Sequence, residues 1–179
     1  MYAPYAFGGL FTSNYLILIG IPLLIGLWAQ FRVSGAFKKW GAVRASSNIT
    51  GAEAAREILQ AANIRDVEVL EINDYLGYHY DPTQKQLCLS SNVYNTPSVA
   101  ALGIAAHETG HAIQHAKAYA PLKWRMAVVP VTGIATRILP FAIFGGLIFH
   151  MVGLITIGIY CYLALLVFQL ITLPVEFDA

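Results

Sequence analysis

Apolar and polar positions in this chain are gathered into blocks. From Met1 to Phe31 there is no Asp, Glu, Lys or Arg, and from Met126 to Val175 there is one, Arg137. Almost all the charge lies between Arg32 and Arg125. The first apolar run, about Leu10 to Phe31, is long enough to cross a bilayer at roughly 20 residues per span. No basic residue precedes it and no small-x-small site follows it, so it reads as an uncleaved anchor rather than a signal peptide. The second run, Met126 to Leu173, would reach about 70 Å as one helix, against a hydrocarbon core of about 30 Å. It divides near Gly145-Gly146 to Gly153 into two spans, placed at Met126–Phe144 and Val152–Leu173. Two spans make a hairpin, which returns Val175 to the membrane face that Arg125 left. Arg32, Lys38, Lys39 and Arg44 follow the first span. The positive-inside rule puts that flank in the cytoplasm of a multi-pass plasma-membrane protein, with the N-terminus outside.

The polar middle carries the pattern of a folded unit. Thr50-x-x-Glu53 is a capping box, and the Ala-rich stretch to about Ala62 reads as a helix. Val67–Ile72 alternates like a strand. Tyr78-His79-Tyr80 and Gln86–Ser90 flank the turn-like Asp81-Pro82-Thr83-Gln84-Lys85, which predicts a hairpin. Thr96 as cap and Pro97 at the first position predict a helix from Pro97 to about Ala116. No internal repeat or low-complexity segment is visible. The expected organisation is an anchor over 1–31, a cytoplasmic part over 32–125, a two-span hairpin over 126–173 and an acidic motif over 174–179. The fold class is an α+β membrane protein, mostly helical, with a small sheet and about three transmembrane helices.

Composition agrees with that division. Hydrophobic residues make up 57% of the 179 and charged residues 12%, about half the charged share of an ordinary globular protein. The net charge of +1 offers no basic excess for nucleic acid. Cys88 lies in a polar stretch and Cys161 in an apolar one, so a disulfide between them is not expected.

Chemistry concentrates in His107-Glu108-Thr109-Gly110-His111. Histidines four apart on a helix project from one face and can hold a zinc ion, with Zn–N near 2.0–2.1 Å. Glu108 lies beside them, placed to take a proton from the attacking water and return it to the leaving amine. Gly110 leaves little bulk beside His111, which lets another segment approach. A chance H-E-x-x-H on a soluble helix surface is the plain alternative. Small apolar residues from Val99 to Ala106 lead into the motif, and a polar pair at the end of a buried helix is costly unless satisfied. A catalytic zinc needs three protein ligands and one open position. His115 is about 80° round the helix from His107 and about two turns away, so it reads as a helix-end or outer-shell histidine. His79, on the hairpin, and His150, between the spans, read as structural or solvated. Glu176 is the better third ligand, because the hairpin returns it to the face that holds the motif. Asp178 is the alternative ligand or a partner for a histidine N–H.

Ala105 to His115 with Tyr119-Ala120-Pro121-Leu122, and later Leu173-Pro174-Val175-Glu176-Phe177-Asp178-Ala179, resemble the bacterial neutral zinc metallopeptidases of the YugP-like type. The resemblance runs along the whole chain in order. It implies a zincin-like catalytic part, zinc held by His107, His111 and Glu176, and Glu108 as catalytic acid and base. Proteins of that type continue beyond the second motif, so the sequence reads as truncated after Ala179, or Glu176 sits on a loose end.

The function expected is therefore membrane-bound zinc endopeptidase, acting on a protein or peptide that lies as an extra strand along the sheet around Tyr78–Ser90. A zinc-binding membrane scaffold or regulator without proteolysis is the rival from another class, and Glu108 speaks against it. An intramembrane protease is a further alternative. However, only about nine apolar residues precede His107, and polar Gln114 to Lys117 follow, so the helix is too short to span. Arg137 lies mid-span and should face protein or water. It reads either as reaching a polar cavity or acidic group, or as snorkelling.

Overall fold

The computed structural model describes residues 13–73 and 77–179. Helix α1 (Ser13–Gly41) contains Pro22 and carries Lys38 and Lys39 in its last turn, where cations complement the helix dipole. The first residues of the span expected at Leu10 to Phe31 lie outside the described residues; the remainder is the first part of α1.

Helix α2 (Gly51–Ala61) starts on the expected capping box. The Glu53 N–H donates to Thr50 Oγ1 at 3.3 Å, and the Thr50 N–H donates to Glu53 Oε2 at 2.7 Å. Ala52, Ala55 and Leu59 form its buried stripe. Gly51 is required by close packing: a Cβ there would lie 2.4 Å from the Val93 carbonyl oxygen.

Three strands follow, β1 (Glu68–Ile72), β2 (His79–Asp81) and β3 (Gln86–Ser90), in the order β1-β3-β2. The β2–β3 pair is the expected hairpin, antiparallel with Tyr80 opposite Leu87. Asp81 Oδ1 accepts the N–H groups of Thr83 at 2.7 Å and Gln84 at 3.1 Å, which shapes the turn before Lys85 takes φ 53°. Strand β1 runs parallel to β3. Central β3 is buried from Leu87 to Ser90, as expected of a strand covered on both faces.

After the short helix α3 (Ser91–Tyr94) comes α4 (Val99–Ala116). It begins two residues later than Thr96 and Pro97 suggest, with Ser98 as the cap accepting the Ala101 N–H at 3.2 Å. Backbone pairing explains the shift. Pro97 O accepts the Ala45 N–H, and Val43 O accepts the Val99 N–H, both at 2.9 Å. Those bonds hold 97–98 extended. The core joins α2, α3, α4 and the sheet through Ala55, Leu59, Leu87, Leu89, Val93 and Ala105.

The last two helices are α5 (Ala120–Ile148) and α6 (Val152–Asp178). Both are long and apolar enough to cross a membrane, and the break between them falls in the predicted region. Both exceed the predicted spans. Helix α5 begins before Lys123 and Arg125, and α6 runs through Pro174 to Asp178. They pack where side chains are smallest. A Cβ on Gly146 would lie 2.6 Å from Ile155 Cγ1, and one on Gly158 would lie 2.5 Å from Ile143 Cδ1. The chain is thus mostly helical with one small sheet and an apolar helical hairpin.

Candidate metal centre

Helix α4 carries His107, Glu108 and His111 on the turn that meets the end of α6. One ligand atom from each of His107, His111 and Glu176 lies within 4.8 Å of the others. His107 Nε2 is 3.3 Å and His111 Nε2 3.6 Å from Glu176 Oε2. Donor atoms around a tetrahedral zinc with bonds of about 2.0–2.1 Å stand about 3.3–3.4 Å apart. Two imidazoles and a carboxylate are also a donor set that zinc accepts, so these residues fit the ion in kind, and the two separations from Glu176 fit it in spacing. Glu176 stands in the last turn of α6, not on a loose end, which was one of the two alternatives read from the sequence.

Two residues hold this geometry, and both were missed as site residues in the sequence. Gln114, buried on α4, places its amide NH2 toward two acceptors, Val175 O at 2.9 Å and Asp178 Oδ2 at 3.1 Å. Its oxygen therefore faces His111 Nδ1, 3.1 Å away. An oxygen there requires a proton on Nδ1 and leaves Nε2 with its lone pair toward Glu176. Arg125, in the first turns of α5, donates to Glu176 Oε1 at 3.0 Å and leaves Oε2 for the histidine side. The spacing of Gln114, three residues after His111, was the available clue. Arg125 read only as the edge of the apolar block.

Gly110 does admit another segment. A Cβ there would lie 2.4 Å from the Ala179 carbonyl oxygen. Thr109 turns inward and donates to Ala105 O at 2.6 Å. Glu108 is 6% exposed. Burial pushes its carboxyl above the usual range, while His111 and His107 pull the other way and Glu176 adds to the rise.

His107, His111, Glu176 and Glu108 line a cavity of about 440 Å³. Its far wall is the β2 hairpin, with Tyr78, His79 and Tyr80, and its near wall is α5, with Leu122, Arg125, Met126 and Val129. His79 lines the cavity outside the three-residue cluster. His115 turns away to Tyr80, whose hydroxyl is 2.9 Å from Nδ1. His150 sits exposed in the turn between α5 and α6. Asp178 reaches Gln114 instead of the cluster. Arg137 stands exposed on α5, away from the cavity.

Residues 15–179 match the family described as "Putative neutral zinc metallopeptidase". A relative from Bacillus subtilis (strain 168), described as "Putative membrane protease YugP", is 42% identical over 165 residues. The match covers 92% of this chain and 73% of that relative. No solved structure matches.

Proposed function

This chain belongs to that family of zinc metallopeptidases, and from that premise we propose that it is a membrane-bound endopeptidase using zinc held by His107, His111 and Glu176. The observation that carries the reading is the spacing of these three donors beside a buried carboxylate. Zinc bound there would supply Lewis acidity, lowering the pKa of a water to about 7 and polarising the scissile carbonyl. Glu108 accepts the proton of the attacking water and delivers it to the departing amine. Gln114 fixes the tautomer of His111, and Arg125 keeps one Glu176 oxygen occupied. The substrate backbone lies along β2, the edge strand that borders the cavity, and pairs with it as a further strand.

In this reading α1 is a third span. Its exposed Leu23, Leu24, Ile25, Trp28 and Phe31 support that role. The N-terminus then lies outside and the zincin-like part in the cytoplasm. A burial-strained Glu108 also argues against a scaffold without proteolysis, because a structural site has no need of it.

The test is metal analysis of the purified protein with casein or a membrane-protein panel as substrate. Glu108→Gln is expected to keep zinc and lose proteolysis, and Glu176→Ala to lose zinc. Full zinc affinity in Glu176→Ala would remove the third-ligand assignment.

A further inference from the structure

The α5 wall of the metal cavity is one helical stripe. Leu122, Arg125, Met126 and Val129 follow at intervals of three, one and three, and so share a face. At 100° per residue, Gly133 and Arg137 lie within about 20° of Met126 on the same face. Beyond Val129 this face lies opposite the buried Ala135, Ala142 and Gly146, the last of which packs on Ile155 of α6. Val129, Gly133 and Arg137 are all exposed. Among the described residues no atom lies within 4 Å of where a Cβ on Gly133 would stand, which leaves room for a second helix backbone to approach.

Arg137 is twelve residues beyond Arg125, about 18 Å along the axis. Eleven residues, about 17 Å, separate it from Ile148 at the other end of α5. An arginine side chain spans little more than one helical turn, so neither membrane surface is within easy reach. A charge at that depth requires a partner. No hydrogen bond or ion pair joins Arg137 to a described residue. The acidic residues of the sequence, between Glu53 and Glu108 and at Glu176 and Asp178, lie outside the middle of its apolar helices.

We propose that this stripe docks one transmembrane helix of the substrate, with an acidic side chain at mid-span opposite Arg137, and that cleavage falls in the juxtamembrane segment that helix delivers to the metal cavity. The proposal rests on the peptidase reading above and names its substrate class: membrane proteins cut beside a span. It also sets a register, with the acidic residue about twelve positions from the delivered segment.

The experiment uses the full chain, zinc-loaded and reconstituted in phosphatidylcholine liposomes. The reporter is a synthetic Leu/Ala-rich transmembrane helix followed by a fluorogenic juxtamembrane segment of mixed sequence. It carries one Glu twelve residues from that segment, or Leu there, or the Glu moved by two positions onto the opposite face. Cleavage is followed by fluorescence. Association is followed separately by energy transfer to the Glu108→Gln protein, which needs no turnover.

The Glu reporter in register is expected to associate and be cleaved about three- to tenfold better than the other two. Arg137→Leu should abolish that preference, and Arg137→Glu should transfer it to a reporter with Lys at the same position. Equal association of all reporters, or a preference that survives Arg137→Leu, overturns the proposal and leaves Arg137 to water or lipid headgroups. Cleavage that ignores the Glu while association does too leaves the peptidase reading standing without the docking site. Register-dependent association without any cleavage sinks the peptidase reading and keeps the docking stripe.

Discussion

Gln114 has one amide and three neighbours, and it satisfies all of them. It ties the helix that carries His107 and His111 to the helix that carries Glu176. Gln114→Leu leaves His111 Nδ1 and the Val175 carbonyl without that partner. Its zinc affinity, measured by competition with a chromogenic chelator, is expected to fall about 10- to 100-fold, the usual cost of losing such a partner. Unchanged affinity would show that α4 and α6 hold the donors unaided. Gly110→Ala inserts a methyl into the Ala179 backbone, which can yield only by moving the segment behind Glu176. Thermal unfolding should register a loss of about 1–3 kcal/mol, as for other overpacked sites. At this scale the sequence was legible where chemistry is local. His107, Glu108 and His111 share one helical turn, and the two-helix hairpin brings Glu176 beside them. Gln114 and Arg125 were not legible, because their meaning depends on partners 61 and 51 residues away.

Single elements show which signals decide their ends. The Thr50 and Glu53 box was readable because both halves lie within four residues. The start of α4 was not, since distant residues 43–45 pull 97–98 into extended pairing. Glu53 is held below the usual glutamate range, first by the Thr50 N–H and then by its hydroxyl. Its depressed value means that its stabilising share is complete above about pH 4.5 and is lost as the pH falls from there toward that value. Glu53→Gln should therefore flatten the acid limb of stability, measured as melting temperature from pH 7 down to pH 3.5. A limb as steep as wild type would assign the acid sensitivity elsewhere. The α5–α6 contact invites a longer-range test. Gly158→Leu cannot be fitted against Ile143 without parting the helices. Zinc affinity should then drop by at least about tenfold although no metal residue is touched, because Glu176 rides on α6.

The division of charge along the whole molecule made its architecture readable before any packing was known. Apolar blocks became α1, α5 and α6, and the charged block became the sheet with α2 and α4. The parallel pairing of β1 with β3 was hidden, because two short alternating strands carry no signal for which edge they share. In the proposed reading, where α5 and α6 both span, single-cysteine variants at Lys123 and Phe149 should label from opposite sides of the membrane with an impermeant maleimide. Labelling of both from one side would mean that the hairpin lies on the surface. The relation between His107 and Glu176, 69 residues apart with two apolar helices between them, also bears on synthesis. At about 5–20 residues per second, about 3–14 s separate the emergence of the two donors. During that interval the motif has only His107 and His111 of the three clustered residues. The cluster forms only once α5 and α6 have folded back toward α4, so a chain stopped short of Glu176 carries the motif without its third neighbour.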